Sequence, residues 1–288
     1  MCEYEFLNPS GNITALVTKD VSREKYQEIS NKIMKSDPNI EQVGFLKKYS
    51  DSIFRLEMAG LEFCGNASRA FACFLVKEKY VNTNTFEISV SGYDNLIECN
   101  VEKKGEDYYS TINLKFLKPI NEFIENKTLN NQEISVVHLP GISHTFLNQK
   151  KFKFDKQNCL KEGKKIIQEL DLINLPAIGV IWFDDNKINP VVYVKDIDSL
   201  FYENSCGSGS IAYGIYHAFL KNKDGLFSFD IVQKNNEVVK VTIELKNKII
   251  YSAKLYGQTK FSLWNYLKFH SFDKNKLIKF ISKTLNKN

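Results

Sequence analysis

Two short segments hold residues able to do acid–base chemistry. Residues 64–76 read CGNASRAFACFLV, and residues 206–220 read CGSGSIAYGIYHAFL. In each, a cysteine precedes glycine, two short residues and a serine, then apolar residues at helical spacing. A cysteine at a helix start faces unpaired N–H groups in a positive field, which lowers a thiol pKa from about 8.5 toward neutrality. Cys64 and Cys206 are therefore expected as available thiolates. The neighbouring glycines let a ligand approach the backbone. The amides of Gly65, Asn66, Gly207 and Ser208 would then hold an anion such as a carboxylate. If the two helix ends oppose each other, one thiolate can take the α-hydrogen of a bound amino acid. The opposite thiol then returns a proton to the other face. Such two-base inversion needs an opposed acid and base, and the same helix ends stabilise the carbanion.

The other cysteines lack that setting. Cys73 falls inside an apolar helix face and reads as core, and Cys2, Cys99 and Cys159 have no comparable context. No C-x-x-C or metal-type Cys/His spacing occurs, so no metal is expected. No phosphate-binding or dinucleotide motif occurs, so no cofactor is expected. Free thiols suit a reducing, cytoplasmic protein. The start, MCEYEFLNPSGN, lacks a basic segment followed by an apolar one, and no apolar run is long enough to span a membrane.

Stepping outward, the elements that must place these cysteines are mostly strands. The chain has 288 residues, 43% hydrophobic and 25% charged, enough for a substantial core. Strand patterns lie at Ile53–Met58, Phe86–Ser91, Ser110–Phe116, Ile178–Phe183, Pro190–Lys195, Glu237–Leu245 and Ile249–Leu255. Helical patterns lie at Ser22–Met34, Ala67–Lys79, Lys156–Leu170 and Ser210–Leu220. The order is not a regular β-α-β alternation, which predicts an α+β fold with mixed or antiparallel sheets. Each half offers a strand, a turn, a cysteine and a buried helix, a two-copy internal repeat. Pro119 ends a strand, and the polar stretch Asn121–Gln132 reads as a connector, dividing residues 1–117 from 118–261. Residues 262–288 hold six lysines and one acid, matching the net charge of +5. The body is thus near neutral, which argues against nucleic-acid binding. The tail reads as a docked helix with a solvated lysine face rather than a membrane-surface helix.

These residues resemble the diaminopimelate epimerase fold, a family of cofactor-independent amino-acid racemases and epimerases. LEFCGNASRAFACF and YENSCGSGSIAYGIY are similar to its two active-site cysteine motifs. Ser10-Gly11-Asn12 and Glu41-Gln42 resemble two further motifs of the family. The resemblance implies two pseudo-symmetric domains, each a sheet wrapped around a central helix, with the active site between them and the tail packed on the first domain. It implies Cys64 and Cys206 as opposed base and acid, and Gly65, Asn66, Gly207 and Ser208 around the α-carboxylate. Asn12 and Gln42 would line the site, and the family suggests a homodimer.

Departures bear on the substrate. The family's distal-binding asparagine appears here as Met58, its Gly-Asn-Pro-His as Gly141-Ile142-Ser143-His144, and its arginine-containing segment as Glu203-Asn204-Ser205. A distal carboxylate and ammonium would go unpaired, at a cost of several kcal/mol. MAGLEFCGNASRAFA with YENSCGSGS is similar instead to the histidine racemase branch, as in staphylopine biosynthesis, making histidine the lead expectation. Glu203 could bind the substrate's amine or imidazole, or could be a surface or capping carboxylate. His144 and His217 read as structural, and Arg69 as a residue fixing the loop. The alternatives are a diaminopimelate or lanthionine epimerase, a phenazine-type isomerase, which the cysteine pair disfavours, and a non-enzymatic thiol redox or ligand-binding protein.

Overall fold

The computed structural model describes residues 4–261. The tail at 262–288 and Cys2 lie outside the described residues. The first half contains β1 (Tyr4–Pro9), β2 (Thr14–Val17), α1 (Tyr26–Ser36), β3 (Gln42–Lys48), β4 (Phe54–Met58), α2 (Gly65–Lys77), β5 (Thr85–Val90), β6 (Tyr93–Lys104) and β7 (Asp107–Pro119). The second contains β8 (Ile124–Leu129), β9 (Gln132–Leu139), β10 (Ile142–Asn148), α3 (Cys159–Glu169), β11 (Ala177–Asp184), β12 (Lys187–Val194), β13 (Ser199–Tyr202), α4 (Gly207–Lys221), β14 (Gly225–Val232), β15 (Val238–Lys246) and β16 (Ile249–Lys260).

The α+β expectation holds: a large mixed sheet carries four α-helices among the described residues. Strand order runs β1 to β7, then β16, β15, β14, β12, β11, β10, β9 and β8, with β13 paired to β12. β16 also pairs with β1, at Asn8 with Lys260 and Pro9 with Thr259, so eight strands close into a ring. The sequence reading missed how regular the connections are. Each helix links a parallel pair: α1 joins β2 to β3, α2 joins β4 to β5, and α3 joins β10 to β11. α4, with β13, leads from β12 to β14. Strands such as β2 and β13, four residues each, are too short to show a period, so the crossovers were hidden in the sequence.

The predicted connector at Asn121–Gln132 is also corrected. It contains β8, whose polar residues belong to the last strand of the sheet path, where one edge faces solvent. Pro119 does end β7, as expected.

The helices sort by their pattern. α2 is buried at every residue from Gly65 to Leu75, and α4 at every residue from Gly207 to Ile215. A helix apolar on all sides belongs in a core. α2 packs on β1, β6, β7 and β16, and α4 on β9, β10, β14, β15 and β16. One continuous apolar cluster includes residues of both helices. α1 and α3 bury single faces, Tyr26, Ser30 and Ile33 in one and Cys159, Gly163 and Ile167 in the other. No described helix is long and apolar enough to cross a membrane.

Candidate active site

Cys64 and Cys206 occupy equivalent places. Cys64 is the N-cap of α2, with φ −123° and ψ 109°, and its Sγ accepts from the Ala67 N–H at 3.4 Å. Cys206 is the N-cap of α4, with φ −128° and ψ 106°, and its Sγ accepts from the Gly209 N–H at 3.4 Å. The repeated serine has a task in both. Ser68 and Ser210 each bond the carbonyl of their cysteine, through the hydroxyl at 2.7 Å and the backbone N–H at 3.0 Å. These bonds fix the first helical turn, and with it the direction of each thiol.

The helix ends meet. A Cβ on Gly207 would lie 2.6 Å from the Asn66 nitrogen and 2.9 Å from the Gly65 carbonyl carbon. A Cβ on Gly65 would lie 3.0 Å from the Gly207 carbonyl carbon. Backbone atoms cannot step aside, so only glycine permits this approach.

One cleft opens beside the junction. Of the expected site residues, Asn12, Gln42, Cys64, Glu203, Cys206, Gly207 and Ser208 line it, together with Glu41, Glu62 and an apolar wall of Val192, Val194, Ile197 and Phe201. Gly65 and Asn66 stand behind that lining. The Asn66 amide donates to the Ser205 carbonyl at 3.0 Å and accepts from Arg69 at 2.9 Å, so its side chain ties α2 to the segment before Cys206. Arg69 is fully buried and also donates to the Gln258 carbonyl at 3.3 Å and the Ser10 hydroxyl at 3.4 Å. It holds the loop rather than facing the cleft, as the sequence suggested. Burial lowers it to about 10.

The expected low thiol pKa values are not found. Burial, and then the nearby Glu203 carboxyl, push Cys64 up to about 12. The same two causes in the same order push Cys206 well above its ordinary value. Loss of water and a neighbouring acid outweigh the helix-end field here. The Cys64 thiol donates to Gln42 Oε1 at 3.1 Å, and Gln42 Nε2 donates to the Thr14 hydroxyl at 2.6 Å. The Cys206 thiol lies 3.6 Å from the Ser208 hydroxyl, which is 3.0 Å from His144 Nε2. His144 is fully buried, and burial lowers it to about 3, so it positions Ser208 as a neutral ring. His217 packs among Tyr213, Tyr216 and Phe183, and burial lowers it to about 4, which fits a structural role.

Glu203 lines the cleft beside the Cys206 thiol. Burial and then the charge of Glu41 lift it to about 8. Glu41 accepts from Asn12 Nδ2 at 2.6 Å and from the Asn204 N–H at 3.2 Å, and burial still raises its pKa. Burial lifts Glu62 to about 7, opposed by bonds from its own backbone N–H and from the Gly60 N–H, the latter at 3.1 Å. Three acids thus line the cleft, and among the described residues no lysine or arginine does.

Glu41, Glu62 and Gln233 were not singled out as site residues from the sequence. Gln233 accepts from the Cys206 N–H at 2.9 Å and donates to the Ser210 hydroxyl at 3.0 Å, so it braces the second cysteine turn from a distant strand end. Nothing local in the sequence marks it. Glu62 did carry a signal, as the one charge in the apolar run AGLEFC.

Residues 2–262 match the model of the histidine racemase CntK N-terminal domain. The chain belongs to this family. A histidine racemase of Fusobacterium nucleatum subsp. nucleatum is 34% identical over 226 residues, covering 76% of this chain and 82% of the relative. A histidine racemase of Staphylococcus aureus is 27% identical over 267 residues, covering 89% and 93%. In fold, the chain is similar to the crystal structure of a probable proline racemase from Agrobacterium radiobacter, with a TM-score of 0.63, 12% identity and 91% coverage of both chains. Membership in the histidine racemase family makes the protein an amino-acid racemase, an isomerase. The non-enzymatic thiol reading is thereby set aside.

Proposed function

We propose that the protein interconverts L- and D-histidine, with Cys64 and Cys206 as the opposed acid and base. The observation that carries this reading is the meeting of α2 and α4, each capped by a cysteine, at the edge of one cleft. On this reading the amides of Gly207 and Ser208, which line the cleft, hold the α-carboxylate. Glu203, whose carboxyl interacts with the Cys206 thiol, would take the α-ammonium. One sulfur, as thiolate, takes the α-proton, and the electron pair left on the α-carbon delocalises into the carboxylate. The opposite thiol then gives its proton to the other face. The stereocentre is inverted, and the two sulfurs have exchanged protonation states.

Burial is the larger cause of the high thiol pKa values, and the Glu203 carboxylate adds to it where it is ionised, above about pH 8. There an arriving ammonium would pair with Glu203 and remove that part of the barrier to a thiolate. We also read residues 1–117 and 118–261 as two domains, each a sheet around its own helix.

Histidine is supported by the relatives and by the acid-lined, lysine-free cleft. Reduced protein in D₂O, followed by proton NMR and chiral chromatography, should remove the α-hydrogen signal of L-histidine and form D-histidine. A panel with diaminopimelate, lanthionine and other amino acids should react far less. Exchange confined to diaminopimelate or lanthionine would overturn the substrate, and no exchange at all would overturn the mechanism.

A further inference from the structure

Two of the three acids in the cleft are accounted for. Glu41 is occupied by Asn12 and Asn204, and Glu203 stands beside Cys206, close to where an α-ammonium must lie. Glu62 has no such task. It is only 6% exposed and lines the cleft two residues before Cys64. Its carboxylate accepts from its own backbone N–H and from the Gly60 N–H, the latter at 3.1 Å, and among the described residues no lysine or arginine forms an ion pair with it. A buried carboxyl in this state is costly unless a donor completes it.

Its surroundings narrow the donor. A Cβ placed on Gly60 would collide with Val194 and lie 2.9 Å from Glu62 Oε2, so the carboxylate sits against the apolar wall. That wall continues through Val192, Ile197 and Phe201. A flat ring with apolar faces and an N–H at its edge fits both surfaces together. The backbone is held for the purpose. Leu61 adopts φ 57°, an uncommon conformation for leucine, and the Ser91 hydroxyl donates to the Glu62 carbonyl at 2.8 Å.

We propose that Glu62 determines side-chain specificity, accepting a hydrogen bond from an imidazole N–H of the substrate. The assignment rests on the reading of histidine as substrate and goes beyond it by naming the group that reads the ring. Full-length wild-type protein and Glu62→Gln are compared on L-histidine and on its two ring-N-methyl derivatives, with D-product measured by chiral chromatography. Wild type should reject the derivative whose methyl blocks the Glu62-facing nitrogen by about ten- to a hundredfold in kcat/KM relative to histidine. In Glu62→Gln, KM for histidine should rise about tenfold or more with a smaller change in kcat, and discrimination between the two derivatives should shrink toward none.

If wild type does not racemise histidine, the substrate reading fails and this assignment fails with it. If wild type racemises histidine but treats both derivatives alike, the Glu62 assignment alone is overturned. Unchanged KM and unchanged discrimination in Glu62→Gln overturn it too. So does an equal loss of kcat on all three substrates, which would mark a structural role.

Discussion

At Cys64 the thiol meets a neutral amide oxygen, Gln42 Oε1, at 3.1 Å. At Cys206 it meets a hydroxyl backed by a neutral imidazole and, on another side, the Glu203 carboxyl. The backbones around the two sulfurs are nearly the same, within 5° in φ and 3° in ψ. The internal repeat therefore preserved the frame and varied the electrostatics. Cys64 is also partly open to the cleft, whereas Cys206 is 3% exposed. On the proposed mechanism, Cys64 is the readier thiolate and Cys206 the readier acid. A symmetric scaffold thus holds two groups that need not act alike.

The severest test of that pairing removes one sulfur at a time. Cys64→Ser and Cys206→Ser should each lower kcat for racemisation by about 10²- to 10⁴-fold, the range of a lost general acid or base. Washout of the α-hydrogen in D₂O should separate them, each variant keeping slow exchange with one enantiomer only. Normal racemisation by either variant would break the two-thiol model.

A smaller effect is expected from the glycines, and here the halves differ. Gly207→Ala drives a Cβ into backbone atoms of Asn66 and Gly65 and must part the helix ends. A shift of about 1 Å at the reacting groups can cost on the order of 10²-fold. At Gly209 an added Cβ meets the Ile181 Cδ1 tip at 2.6 Å, a side-chain end that can move, and lies 3.1 Å from Cys206 Sγ, a tight contact relieved by a few tenths of an ångström. The equivalent position in the first half is already alanine, Ala67. Gly209→Ala should therefore keep kcat within about tenfold of wild type. Equal losses in the two variants, measured by chiral chromatography, would mean that the close approach of the helix ends is not what the site requires.

The same contrast shows what could be read in advance. The two cysteine segments, their helices and seven strands with alternating or β-rich runs were legible, because side-chain period and small-residue signatures are local. The site residues Asn12, Gln42 and Glu203 were legible only through resemblance, since nothing near them in sequence announces a shared cleft. Thiol acidity was misjudged. The helix-end field can be inferred from CGNAS and CGSGS, but the burial and the Glu203 carboxyl that outweigh it come from tertiary packing. Gln233, 27 residues from the cysteine it braces, lay beyond any local rule for the same reason.

The subtlest test addresses the charge beside Cys206. Burial lifts Glu203 to about 8, so below that pH it is mostly neutral and adds little to the thiols. Above it, the ionised carboxylate opposes formation of a second negative charge on sulfur. Alkylation of Cys206 by iodoacetamide, followed by peptide mass mapping, should therefore rise with pH less steeply above about 8 than below it. Glu203→Gln has no such charge, so that flattening should disappear. Near pH 9 the variant should alkylate at Cys206 faster than wild type, because the carboxylate that opposes the thiolate is gone. Cys64 should respond in the same direction but less, because burial and Gln42 also set its environment. In wild type Cys64 should still be modified before Cys206. If Cys206 reacts first, or if Glu203→Gln leaves its pH profile unchanged, the electrostatic difference between the two halves is not the one that the geometry indicates, and the assignment of readier base and readier acid must be exchanged or abandoned.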